Sequence, residues 1–144
     1  MTVDTNPFGF VVTQFTAAPL QTDGWIRFMG SPEDVFAVLA NHEGMTEWIP
    51  MLKHVTVTQP EGAAPGDSAV GTQRNMKFAG GITLEEKIVY WNSPNCYAYD
   101  CRGRLFPLDN YIGLFGVEPE GSDGGRVTFR EYYDVKGPIR EAAI

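Results

Sequence analysis

The stretch GTQRNMKFAGGITLEEKIVYW, residues 71–91, reads as two strands and the turn between them. In its first half Thr72, Arg74, Met76 and Phe78 share one face of an extended chain, while Gln73, Asn75 and Lys77 share the other. In its second half Ile82, Leu84, Glu86, Ile88 and Tyr90 oppose Thr83, Glu85 and Lys87, with Val89 and Trp91 the apolar residues out of phase. The even-numbered faces are therefore the buried ones. Pairing even with even needs a loop of odd length, and a register centred on Gly80 sets Phe78 against Ile82, Met76 against Leu84 and Arg74 against Glu86. Two opposite charges thus land on an apolar face. A guanidinium and a carboxylate in contact offset much of each other's desolvation. The pair is then either a structural ion pair in the wall, or the polar part of a cavity lining in which Arg74 binds a carbonyl, enolate or carboxylate while Glu86 orients it or handles a proton.

Outward from this hairpin the same period of two continues. Val55 and Val57 alternate with Thr56 and Thr58 before it, and Tyr97 to Leu105, Tyr111 to Glu118 and Arg126 to Lys136 follow it, each segment bounded by Gly, Pro, Asn or Ser. Evenly spaced strands without intervening helices describe an antiparallel meander. Toward the N-terminus, Trp25 to Met29 is a further strand. After it Ser31 offers an N-cap, Pro32 suits the first helical position and Asp34 favours the helix start, so a helix is expected from Pro32 to about Ala40. A second short helix over Gly44 to Trp48 stops before Pro50. The class is α+β. Residues 1–22 read as an N-terminal extension, in which Phe10 to Thr16 is too short and mixed to assign as a strand, and 23–144 as one domain.

The 144 residues suit a single core, and 43% hydrophobic with 20% charged residues is the make-up of a globular chain. A net charge of -7 argues against wrapping nucleic acid or lying on an anionic membrane. No apolar run is long enough to span a bilayer, and the N-terminus lacks the pattern of a secretory signal, so a cytoplasmic protein is expected. Cys96 and Cys101 fall on opposite faces of one strand, which disfavours a disulfide between them. Two Cys and two His, scattered, make no zinc site, and no nucleotide-binding or hydrolase motif is present. Neither metal nor cofactor is expected. His42 and His54 read as surface or packing residues.

Aromatic residues recur at odd positions of the later strands: Tyr97, Tyr99, Tyr111, Phe115, Phe129 and Tyr133, with Trp25 and Trp48 nearer the N-terminus. Core packing accounts for most of them, but several tyrosines on one concave face favour a semi-polar pocket, because each buried hydroxyl needs a partner.

The order strand, two helices, six strands, together with SPEDVF (31–36), EWIPML (47–52), GTQR (71–74), LEEKIV (84–89) and PLDNY (107–111), resembles the polyketide cyclase and dehydrase branch of the START-like, Bet v 1-like superfamily. The resemblance spans about Trp25 to Pro138. It implies a helix-grip fold, a curved antiparallel sheet around a C-terminal helix with a hydrophobic cavity between them. Arg74 matches the position of an arginine that aromatase/cyclase members use, and Glu86 looks like the glutamate common on the next strand. Other members carry lipids or other apolar ligands, and some act on partner proteins.

The resemblance therefore implies a binder of a small hydrophobic or aromatic molecule, with or without a metal-independent cyclase or dehydratase activity. In that activity Arg74 would stabilise an oxyanion, Tyr97 or Tyr133 would donate a proton and Glu86 would hold the arginine. Phe36, Trp48, Met76, Phe78, Leu84, Ile88, Tyr99, Tyr111, Phe115 and Phe129 would line the ligand site. The alternative is a non-catalytic protein-interaction module. After Lys136 only Gly137 to Ile144 remain, enough for a helix about 10 Å long, shorter than the family's closing helix. A short or truncated C-terminal helix leaves the apolar face of Met76, Phe78, Leu84 and Ile88 to be covered by Phe8 to Phe15, by further chain or by a second copy. The polar Thr13, Gln14 and Thr16 favour a homodimer or further chain over the N-terminal stretch.

Overall fold

The computed structural model describes residues 6–62, 70–104 and 106–136. Seven strands form one antiparallel sheet: β1 (Leu20–Met29), β2 (Leu52–Thr58), β3 (Gln73–Phe78), β4 (Thr83–Asn92), β5 (Cys96–Arg102), β6 (Leu108–Glu120) and β7 (Gly124–Val135), in the spatial order β1-β7-β6-β5-β4-β3-β2. Consecutive strands β2 to β7 are a meander. β1 and β2 occupy opposite edges, so the chain between them must cross the sheet, and it does so as α1 (Pro32–Ala40) and a 3₁₀ turn at Glu43–Glu47. This is the α+β helix-grip arrangement expected from the sequence. The expected C-terminal helix lies outside the described residues.

The start of α1 follows its sequence signals. The Ser31 hydroxyl accepts the Asp34 backbone N–H at 3.2 Å, Pro32 opens the helix, and Glu33 and Asp34 sit in the first turn. Phe36 and Leu39 point down onto Ile88, Tyr97, Tyr99 and Phe115 of the concave face. The 3₁₀ turn sets Met45 and Ile49 beside Met76, Leu52 and Val55. Met76 and Ile88 are thereby buried by the crossing segment, which the sequence had not suggested as a cover for this face.

The hairpin register is the expected one. Arg74 pairs with Glu86 and Met76 with Leu84, and the Phe78 amide donates to the Ile82 carbonyl at 2.8 Å. The parity of β4 changes before its end. Ile88 pairs with Tyr99, but the next partners are Tyr90 with Ala98 and Trp91 with Tyr97, a bulge that absorbs Val89. An extra residue in one strand inverts the faces beyond it. Tyr90 accordingly turns to the convex face, against the expectation from uninterrupted alternation, and Trp91 turns inward to stack on Tyr97 at 5.2 Å.

The N-terminal segment packs on the convex face. Phe8, Phe10 and Val12 are buried against Cys96, Ala98, Ile112, Leu114 and Tyr132, and Phe10 stacks on Phe15 at 5.1 Å. Gly116 makes room for it, because the Phe8 ring occupies the place a Cβ on Gly116 would take. The stretch Phe8 to Phe15 therefore covers the face opposite to Met76 and Leu84. Cys96 joins this convex cluster and Cys101 the concave one, both as free thiols.

Candidate functional site

Between the concave face, α1 and the 3₁₀ turn lies a cavity of about 580 Å³, within the range of small-molecule sites. Its wall is a chain of rings. Trp48 meets Phe115 edge-on at 5.9 Å, Phe115 stacks on Phe129 at 4.9 Å and neighbours Tyr99 at 5.9 Å, and Tyr111 joins Tyr99 to Phe106. Aliphatic residues including Leu39, Met76, Leu84 and Val127 complete it. Ile26, 67% exposed, and Trp48, 38% exposed, mark where the cavity meets solvent.

Of the residues selected from the sequence, Glu86, Trp48, Met76, Phe78, Leu84, Tyr99, Tyr111, Phe115 and Phe129 line this cavity. Arg74, Tyr97, Tyr133, Phe36 and Ile88 do not. Phe36 and Ile88 are core residues between α1 and the sheet. Tyr133 stacks behind Tyr111 at 6.2 Å. Arg74 and Tyr97 are wholly buried beneath the lining.

Arg74 is the hub of that buried layer. Its Nη2 donates to Glu86 Oε1 at 2.6 Å, and its Nη1 lies 3.2 Å from His42 Nδ1, 3.2 Å from the Tyr97 hydroxyl and 3.3 Å from Met45 Sδ. The guanidinium also packs 4.7 Å from the Tyr99 ring centre and 5.6 Å from that of Tyr97. The Tyr97 hydroxyl donates a hydrogen bond to the Leu39 carbonyl at 2.8 Å, which fixes α1 to the network. Because arginine only donates, His42 Nδ1 accepts and the imidazole proton sits on Nε2. Burial, with the Arg74 charge beside it, lowers the His42 pKa to about 3, so the ring is neutral. His42 is the packing residue the sequence suggested, between Trp91 and Tyr97.

The polar edge of the cavity differs from the one anticipated. Burial raises the Glu86 carboxyl above its usual range despite Arg74, and Asp100 and Glu131 push the same way. Burial would lower the Arg74 pKa, but Glu86 and the two tyrosines outweigh it, so the guanidinium keeps its charge. Glu131, not expected as a site residue from the sequence, lines the cavity and accepts a hydrogen bond from the Tyr111 hydroxyl. Burial first, then the neighbouring Tyr99 and Glu131, hold the Tyr111 phenol far above its ordinary pKa. Tyr99 is held up likewise, by burial and Glu86. Cys101 lines the wall as a thiol, its pKa raised by burial and then by Glu86. A signal for Glu131 existed: it sits between Phe129 and Tyr133, both already assigned to the inner face. The site thus offers a ligand two carboxyl groups and two neutral phenols on an aromatic wall. Among the described residues no three His, Cys, Asp or Glu side chains converge on a metal position, and no helix is long and apolar enough to cross a membrane.

Comparison with known proteins agrees with this architecture. The chain is 28% identical over 118 residues to an uncharacterized protein of Mycobacterium bovis, with the same match in Mycobacterium tuberculosis; the aligned part is 78% of this chain and 64% of those proteins. The chain thus spans under two thirds of the length of these curated relatives. Among solved structures, the ZhuI aromatase/cyclase of Streptomyces sp. R1128 superposes with a TM-score of 0.66 at 11% identity, over 83% of this chain and 70% of that one. A truncated norcoclaurine synthase of Thalictrum flavum gives 0.66 at 20% identity, over 90% and 84%. A START superfamily protein of Mycobacterium smegmatis gives 0.66 at 13% identity, over 87% of each chain. At these identities the likeness is one of fold. The family model described as polyketide cyclase/dehydrase and lipid transport matches residues 10–144, and the chain belongs to that family.

Proposed function

We propose that this protein binds a small aromatic or otherwise hydrophobic molecule in the concave cavity, with the molecule's polar end against Glu86, Tyr111 and Glu131. The observation that carries the reading is the composition of the cavity wall: about 580 Å³ whose described lining includes eight aromatic side chains and only a few polar groups, Glu86 and Glu131 among them. A wall of that kind takes its affinity from apolar burial and its orientation from the few polar contacts. The family's description names both cyclisation chemistry and lipid transport, and a largely apolar cavity that opens to solvent serves either.

The buried layer behind the wall acts on the ligand through Glu86. Arg74 meets no cavity space, and Tyr97 is occupied by Arg74 and the Leu39 carbonyl. In this reading both position Glu86 and maintain its polarity, while the groups in reach of a bound molecule are Glu86, Tyr99, Tyr111 and Glu131. Native mass spectrometry of the freshly purified protein tests the reading. The expected spectrum shows a mass above that of the chain, with an apolar molecule released on denaturation. A spectrum of the bare chain that stays unchanged after incubation with a panel of aromatic and lipid compounds would argue against it.

A further inference from the structure

Among the described residues, the cavity wall carries two carboxyl groups, Glu86 and Glu131, and no Arg, Lys or His. Their surroundings differ. The Glu86 charge is matched by Arg74 at 2.6 Å, and that cation is itself sequestered below the wall, against the Tyr97 and Tyr99 rings. Glu131 has the Tyr111 hydroxyl as its partner and, among the described residues, no cation in salt-bridge range. A phenol hydrogen bond leaves the full negative charge in place. Among the described residues the cavity wall therefore carries one carboxylate more than its buried counter-charge, and the same wall includes the Tyr111, Tyr99 and Phe106 rings, whose faces also favour a cation.

We infer that the ligand is cationic: an aromatic or hydrophobic amine whose ammonium lies at Glu131 and Tyr111 while its apolar body fills the space along Phe115 and Phe129. An anionic ligand would meet the like charge of a carboxylate that has no salt-bridge partner among the described residues, which is repulsive, and a neutral one would cover the half-buried Glu131 and leave it only its hydrogen bond from Tyr111. The ammonium supplies the missing charge and up to three donors. The inference rests on the binding reading above and sharpens it to a charge class.

Three probes with the same naphthylethyl body separate the two claims: naphthylethylamine, naphthylethanol and naphthylpropionic acid, each titrated calorimetrically into the wild-type protein and into Glu131→Gln. The glutamine keeps a carbonyl oxygen for the Tyr111 hydroxyl, and thermal unfolding checks that the variant is folded. The expected result is that the amine binds the wild type at least tenfold more tightly than the alcohol, that the acid binds most weakly, and that Glu131→Gln brings amine and alcohol within about threefold of each other. Equal affinity of alcohol and amine, or tightest binding of the acid, overturns the charge class and leaves the apolar-binding reading standing. An amine preference that survives Glu131→Gln overturns the assignment to Glu131. Failure of all three probes to bind counts against both claims.

Discussion

Replacing Arg74 by methionine removes the hub of the buried layer while keeping a side chain of similar length. Glu86, 7% exposed, then loses its partner at 2.6 Å. At an effective dielectric of about 20 that contact corresponds to about 6 kcal/mol of Coulomb attraction, but the carboxyl does not have to pay the whole of it, because it can take up a proton. Relative to an unfolded carboxyl at its ordinary value of 4.5, holding Glu86 neutral at pH 7 costs about 3 kcal/mol, and at pH 5 less than about 1. The sign follows from the raised folded-state pKa: the folded form binds the extra proton, so stability is greatest below the unfolded value and declines as pH rises. Arg74→Met should therefore lose about 3–5 kcal/mol near neutral pH, the range for breaking a buried pair, and much less at pH 5. Urea unfolding followed by tryptophan fluorescence at the two pH values measures this, and Arg74→Met combined with Glu86→Gln should recover most of the neutral-pH loss. A loss that is the same at both pH values, or a double variant no better than the single one, would refute the claim that an uncompensated Glu86 charge is the source of the cost.

Other perturbations address separate parts of the account. Gly113→Ala places a Cβ into the Tyr99 ring, so it should cost about 1–3 kcal/mol and weaken ligand binding together, read by thermal unfolding and probe titration. Phe10→Ala should destabilise by about 3–5 kcal/mol because Phe10 is 2% exposed between Phe15 and Tyr90, yet the folded fraction should bind probes unchanged, since the convex face is remote from the cavity. Ser31→Ala removes the hydroxyl that caps α1 and should cost about 1 kcal/mol in the same unfolding assay.

The parts of this structure that were legible in the sequence are those fixed by local periodicity. The alternation on either side of Gly80 determines which residues of β3 and β4 can share an apolar face, and that was enough to set Arg74 against Glu86. Ser31 and Pro32 mark the start of α1 for reasons contained within one turn of helix. The bulge at Val89 has no such local cause. It shows in the sequence only as three consecutive bulky residues, Val89, Tyr90 and Trp91, and its phase is decided by Tyr97 on one face and Phe10 on the other. The N-terminal segment was illegible for a similar reason. Phe8, Phe10 and Val12 alternate as a strand would, but what they cover is a convex surface whose vacancy at Gly116 becomes visible only when β6 is placed in the sheet. Glu131 was missed although its parity matched its neighbours, because a carboxylate between Phe129 and Tyr133 reads as an exposed charge until the curvature of β7 turns that face inward. The direct role assigned to Arg74 assumed that a residue on the concave face reaches its surface. The side chain instead lies under Tyr99, a depth that strand parity does not encode.

The central claim, that the concave cavity is the ligand site, is tested most directly by filling it. Leu84 lines the cavity and is not among the hydrogen-bond partners of Arg74, which are Glu86, His42, Tyr97 and Met45, so Leu84→Trp should occupy ligand space while the fold is retained, as judged by circular dichroism. Titration of the fluorescent neutral probe phenylnaphthylamine into the wild-type protein should show saturable uptake of one molecule per chain, and the folded Leu84→Trp protein should lose at least tenfold in affinity. Undiminished uptake by that variant would place the binding somewhere other than this cavity and contradict the account.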